Sequence, residues 1–416
     1  MTSAALFARR AFSALEVHNV RLYFIGQVIS VSGTWMQRVA QSWLVLELTG
    51  SGSAVGAVTA VQFIPLLVVA PMGGLLADRL DKRKVLLVTQ TLFGLTAGAL
   101  AVLVLTDLVE IWMVFVLAFV HGLVGSFDNP SRQAFVAELV GTSRITNALG
   151  LHSVLVSSAR VIGPAIGGVL IVTVGMGICF VIGSASYLAL ITALALMRSE
   201  DIEKAVPEPR RRRQLREGIS YVRSEPVLFV PLVMMAVVGL FVWEFEVALP
   251  LLARYTFSGD ADTFGTMFAA LGMGSVVGGL YAASMGDRPA RFLVRLTYAM
   301  GVAVGVAAIT PWLWAEYVVL VVVGGTVTSF LTVGNSVLQI HAIPEMRGRV
   351  VALRAVAVLG ARPIGAPVVG WIGEHLGPRY GLGIGALAAV AVAVWAHRWI
   401  AGYDRTREAA ESGAPT

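Results

Sequence analysis

The sequence predicts an all-α membrane protein whose twelve spans fall into two pseudo-symmetric six-helix bundles. Three observations lead there: an extreme apolar composition, a series of long apolar runs, and an internal repeat offset by about half the chain. Of the 416 residues, 57% are hydrophobic and 13% are charged. A typical soluble domain has roughly 45–50% apolar and 25% charged residues, so a chain this apolar has too little polar surface to stay dissolved. The 44 glycines point the same way, since membrane helices use Gly to bring backbones close. The single cysteine, Cys179, lies in an apolar run and excludes a disulfide framework or a cysteine-based metal site.

A helix needs about 20 apolar residues to cross roughly 30 Å of hydrocarbon. Such runs occur near 22–47, 54–77, 85–106, 111–127, 149–173 and 177–197, then near 227–252, 264–285, 291–309, 312–336, 350–372 and 380–400. They are too continuously apolar for barrel strands, which alternate. The first run is too long for a signal-peptide core and is read as a retained span. The division expected is a first half over 1–200, a polar cytoplasmic linker over 201–226 and a second half over 227–416.

Basic residues cluster in alternate connections and in both tails, including Arg79–Lys84, Arg210–Arg213, Arg288–Arg295 and Arg347–Arg354. The opposite loops hold only Arg254 and Arg379, beside acids such as Asp107, Glu110, Asp260, Asp262 and Glu374. Positive loops remain inside, which places both termini in the cytoplasm of a cell-membrane protein. The same distribution explains the +6 net charge without nucleic acid as a partner.

The repeat shows in three places. ARVIGPAIGG at 159–168 returns as ARPIGAPVVG at 361–370. Gly73-Gly74-Leu75 returns as Gly278-Gly279-Leu280. Trp35-x-x-Arg38-Val39-Ala40 returns as Trp243-x-x-Glu246-Val247-Ala248. Six spans in each half keep the topology parallel about an axis along the membrane normal.

Two motifs carry a family resemblance. Between spans 2 and 3 the chain reads Gly73-Gly74-Leu75-Leu76-Ala77-Asp78-Arg79-Leu80-Asp81-Lys82-Arg83-Lys84. It resembles the major facilitator signature G-x-x-x-D-R-x-G-R-R/K at Gly74, Asp78, Arg79, Lys82 and Arg83, with Asp81 where many members have Gly. The resemblance implies a cytoplasmic latch between the halves, with Asp128 as its acidic partner; a solvated basic loop fits the same residues. Span 5 carries Arg160, Gly163, Pro164, Gly167 and Gly168 and resembles the Gly-Pro motif of drug/proton antiporters, which implies a gating helix. Ala159, Gly163 and Gly167 share one helix face that another helix can approach closely; plain packing also accounts for them. Phe127–Ala134, Asn147-Ala148-Leu149 and Arg347-Gly348-Arg349-Val350 resemble the enterobactin-exporter and macrolide-efflux branch. The resemblance covers about 20–400 and implies a transporter that works as a monomer.

Charges inside the spans need a reason, because each costs about 2.5–3.5 kcal/mol at a helix centre on insertion scales. Arg38 and Glu246 occupy equivalent repeat positions at the same depth. By the resemblance, spans 1 and 7 face each other, so the two are expected to approach. Arg38 lies on a polar stripe with Gln27, Ser30, Thr34 and Gln41 at helical spacing. On a continuous helix Glu244 sits about 200° from Glu246, which would keep them out of one cavity. Glu246 is the first candidate for a proton-responsive carboxylate and Glu244 the second; a structural ion pair is the alternative. Arg160 and Arg362 form another symmetric pair, suited to an anionic group or to helix-end carbonyls. His121 is a further proton candidate, though a packed histidine fits equally.

No P-loop, nucleophile elbow or zinc-binding His pair occurs, and no cofactor or metal is expected. The reading is a proton-coupled exporter of a small amphipathic, drug- or siderophore-like molecule, working by alternating access and not as an enzyme. A facilitator or importer without proton exchange is the alternative within the fold, and a non-transporting receptor or assembly factor the alternative outside it.

Overall fold

The structure, a computed structural model, describes residues 16–198, 200, 214–284, 290–343 and 346–412; the side chains of some helical residues, among them 70–79 and Arg160, lie outside the description. The helices are α1 (His18–Thr49), α2 (Gly52–Arg79), α3 (Lys82–Leu105), α4 (Ile111–Val174), α5 (Met176–Leu196), α6 (Gln214–Ser224), α7 (Pro226–Phe241), α8 (Phe245–Leu251), α9 (Ala261–Ser284), α10 (Ala290–Ile309), α11 (Leu313–His341), α12 (Arg347–Leu359), α13 (Arg362–His375) and α14 (Pro378–Ser412). Among the described residues, 10 helical stretches are long and apolar enough to cross a membrane. The other two predicted spans are α1, whose polar stripe lowers its hydropathy, and the apolar stretch Ile162–Val174 at the end of α4.

Three predicted elements take a different form. Spans 4 and 5 run as one helical stretch of 64 residues, which drawn straight would measure about 96 Å. A Cβ at Gly122 would sit 1.8 Å from the Gln62 carbonyl oxygen, and one at Gly163 would sit 2.7 Å from Trp35 Cβ. Phe63, the neighbour of Gln62, and Trp35 both flank the Arg38 guanidinium. The two ends of α4 therefore meet one region of the bundle, and the chain doubles back between them. Span 7 breaks between Phe241 and Phe245, giving α7 and α8, and ends in a π turn over Leu252–Thr256. Span 11 breaks at Gly360 and Ala361, giving α12 and α13. Part of the expected linker forms α6, held by Arg349 Nη1 donating to Glu217 Oε2 at 2.8 Å and Ile343 N donating to the Tyr221 hydroxyl at 3.2 Å.

Asp81, which departs from the signature, has a local function. Its carboxylate accepts the Lys84 N–H at 3.2 Å and caps α3, satisfying one of the four free amides at a helix start.

The pseudo-symmetry is visible in the glycine contacts. Gly163 lies against the Ser32 carbonyl of α1, and its repeat mate Gly365 against the Leu240 carbonyl of α7. Gly168 meets Gly265 of α9, and its mate Gly370 meets Gly52 of α2. The halves thus join at two seams, α4 against α9 and α13 against α2, where side chains are too small to hold the backbones apart. A methyl group added at Gly370 would lie 2.2 Å from the Gly52 carbonyl oxygen, whereas one at Gly383 meets nothing within 4 Å. Overpacking of this kind costs about 1–3 kcal/mol. Gly370→Ala is expected to lower the melting temperature of the purified protein, and Gly383→Ala to leave it unchanged.

Candidate functional site: a charged junction between the halves

The structure brings Arg38, Glu246, Arg362 and Glu244 together. Arg38 Nη1 donates to Glu246 Oε1 at 3.2 Å, and Arg362 Nη2 donates to Glu246 Oε2 at 3.0 Å. Arg362 Nη2 also lies 3.6 Å from Glu244 Oε2. The Phe63 ring sits 4.4 Å from the Arg362 guanidinium carbon and 5.9 Å from that of Arg38, and the Trp35 ring sits 4.7 Å from the latter. Aromatic faces attract desolvated cations. The Arg362 side chain is 2% exposed and that of Arg38 is 25% exposed, so the node is dry on the second-half side and wetter at Arg38.

Both acids reach Arg362 because span 7 is not one helix. Its backbone leaves helical geometry at Glu244, with φ −90° and ψ 36°. The separation of about 200° holds only for an unbroken helix; the break cancels it. Glu246 accepts from two guanidiniums, while neither carboxylate oxygen of Glu244 has a hydrogen-bond partner.

Gln41 lines a small pocket between Arg38, Glu246 and residues of α2 such as Val55 and Thr59. Beyond it, toward the acidic face, the halves close. Trp43 stacks on Phe264 at 6.1 Å. Glu374 Oε2 accepts from Ser51 Oγ and from the Ser53 N–H, each at 2.8 Å. Arg254 Nη1 donates to the Leu46 carbonyl at 3.2 Å, and the Tyr255 hydroxyl to the Gly50 carbonyl at 2.7 Å. A cation on the last carbonyls of α1 is favoured by the helix dipole. Sequence reasoning placed Arg254 and Glu374 on this face but gave them no role, because their partners are backbone groups and small hydroxyls in the other half.

On the other side of Arg38 lies a cavity of about 280 Å³ against the first half. Gln27, Arg38, Gln62, His121, Asp128 and Arg132 line it, with Trp35, Phe63, Phe93 and Tyr187. His121 packs on Phe93, ring centroids 4.4 Å apart. Asp128 is buried, accepting from Thr89 Oγ1 and Gln90 Nε2 at 2.8 Å each and from Arg132 Nε at 3.0 Å and Nη2 at 2.5 Å.

Of the signature residues, Lys82 Nζ pairs with Glu138 Oε1 at 2.8 Å. Arg83 donates to the Leu194 and Ala195 carbonyls at 2.8 and 3.1 Å, at the end of α5. Those bonds, like the Asp128 bonds, lie within the first half. Gly74, Asp78 and Arg79 fall in α2 and Arg160 in α4, with side chains outside the description. Pro164 is buried, and Gly167 packs against Met36. Glu138 escaped notice because its partner lies 56 residues away.

Residues 9–410 match the transmembrane secretion effector family. The chain belongs to this family of the major facilitator superfamily. It is a membrane transporter and not an enzyme. It is 28% identical to the multidrug efflux pump Tap of Mycolicibacterium fortuitum over 83% of this chain and 87% of that one. Macrolide efflux protein A of Streptococcus pyogenes is 21% identical over 89% and 93%. The staphyloferrin A transporter of Staphylococcus aureus is 23% identical over 62% and 65%. The fold is shared with the POT family transporter PepTSo (TM-score 0.73, 11% identity, 94% of this chain and 99% of that one) and with a bacterial homolog of the human lysosomal transporter Spinster (TM-score 0.67, 13% identity, 95% and 96%).

Removing one partner of a buried ion pair costs about 3–5 kcal/mol, since a charge is left uncompensated. Arg362→Met is expected to lower the melting temperature strongly. Adding Glu244→Gln to that variant is expected to recover part of the loss, a coupling read by a double-mutant cycle. At the acidic face, Glu374→Ala is expected to speed maleimide labelling of a cysteine placed at Val55, which is 1% exposed, in a Cys179→Ala background.

Proposed function

We propose that the chain exports a small amphipathic molecule in exchange for protons, as a monomer, by alternating access between its halves. The observation that carries this reading is the position of the Arg38–Glu246 pair. It crosses between the halves, with a sealed acidic face on one side and a cavity on the other. If the basic loops are cytoplasmic, the cavity belongs to an inward-facing state and the clasp at Glu374 and Arg254 is the closed outer gate. The names of the relatives, two efflux pumps and a siderophore transporter, support this substrate range.

Within the node the carboxylates divide the work. Glu246 bridges the halves through two guanidiniums, so protonating it would weaken the contact that holds this state. Glu244 is buried, its oxygens accept no hydrogen bond, and its one ion-pair contact, to Arg362 at 3.6 Å, is the longer of the two that Arg362 makes; a proton there removes a charge that burial disfavours. Glu244 is therefore the proton carrier and Glu246 the gate pair. The signature residues Asp78, Arg79, Lys82 and Arg83 form the inner latch when the cavity closes, and Gly163–Gly168 of α4 is the helix on which the halves rock.

The test is uptake of a panel of labelled amphipathic antibiotics, erythromycin and chloramphenicol among them, into inside-out vesicles. An interior-acid gradient is expected to drive uptake in the wild type. Glu244→Gln should keep substrate exchange and lose the response to the gradient, while Glu246→Gln slows every mode. Uptake in the wild type that ignores the gradient would establish the facilitator reading instead.

A further inference from the structure

The cavity holds charged groups, yet each has an internal counter-ion. Arg132 grips Asp128 with two donors, and Arg38 is paired with Glu246. A charged ligand entering there must separate one of those pairs, and the low dielectric makes that separation costly. Among the described residues, two buried side chains on the cavity wall keep atoms without a hydrogen-bond partner: Arg38 at Nε, its guanidinium already committed to Glu246 through Nη1, and an amide with no partner at all. Gln27 is 1% exposed, borders the cavity, and neither its Oε1 nor its Nε2 has a hydrogen-bond partner. Its neighbours on the α1 stripe are satisfied: Ser30 donates to Gln90 Oε1 at 3.0 Å, and Thr34 to the Ser30 carbonyl at 2.9 Å.

A buried amide with one free acceptor and free donors calls for a partner offering both. The remaining wall supplies rings, with Phe63, Phe93 and Trp35 around the same space. We propose that Gln27 anchors a ligand subsite for an uncharged amphipathic molecule bearing a carboxamide-type donor and acceptor, its ring or alkyl body lying against these aromatics. The inference rests on the transport reading only in naming that ligand as cargo; the subsite itself is a binding claim.

Binding is measured on purified protein in nanodiscs by calorimetry, after subtraction of partitioning into empty nanodiscs. The probes are N-butylbenzamide, its isostere butyl benzoate, the anion benzoate and the cation benzyltrimethylammonium. A site built to hydrogen-bond a group rejects the analogue lacking it, so the wild type is expected to favour the amide over the ester by about tenfold. Both ions should bind more weakly than the amide. Gln27→Met keeps the length of the side chain without its polar atoms and is expected to abolish the amide preference while leaving ester binding in place. Gln27→Asn, which retracts the amide by one methylene, should reduce the preference and serves if the Met variant does not fold. Equal affinity for amide and ester in the wild type, an unchanged preference in both variants, tighter binding of either ion, or no binding of the amide overturns the proposal. Amide binding that depends on Gln27, with no gradient-driven uptake of the antibiotic panel in vesicles, would leave the subsite standing and remove the exporter reading.

Discussion

The arrangement depends on one carboxylate shared by two guanidiniums. Glu246 accepts from Arg38 in the first half and from Arg362 in the second, at 3.2 and 3.0 Å. In a membrane-spanning bundle an uncompensated charge is expensive, so the three side chains hold one another and, through them, the halves. Phe63 reinforces the same point by presenting its ring to both cations. Glu244 is the member without a hydrogen bond. It lies within reach of Arg362, but the guanidinium is already directed to Glu246.

Everything on the acidic side of that node serves closure. The glycine seams at Gly52–Gly370 and Gly168–Gly265 let the backbones touch, and the clasp of Glu374, Arg254 and Tyr255 ties loop ends across the halves through backbone groups. Such bonds suit a gate. Backbone amides and carbonyls at loop ends can be hydrated when the halves part, so the closed and open states differ by a modest free energy. On the other side the first half keeps a cavity whose ions are already neutralised in pairs and whose wall carries the Gln27 amide without a hydrogen-bond partner.

The long apolar runs, the repeat and the equivalence of Arg38 with Glu246 are legible in the chain because they rest on length, periodicity and symmetry, which bilayer thickness imposes residue by residue. The repeat also anticipates that Gly163 and Gly365 take matching positions against α1 and α7. What was not legible follows from local breaks in that regularity. No proline or glycine lies between Phe241 and Phe245, so nothing in the sequence announces the break that swings Glu244 to Arg362. With the break in place, Glu244 and Glu246 both lie against one buried cation.

The sequence by itself determined a helical, two-half membrane transporter with charges at the depth where the halves meet, since hydrophobic length and internal symmetry leave few other folds. Tertiary structure alone decided which charges share a partner, that the acidic face is closed, and that Asp128 and Lys82 bond inside the first half. The reason is physical. A side chain's partner in a bundle is set by which helix faces it across a few ångströms, and the partners of Glu246 and Glu374 lie from 116 to 323 residues away in the chain.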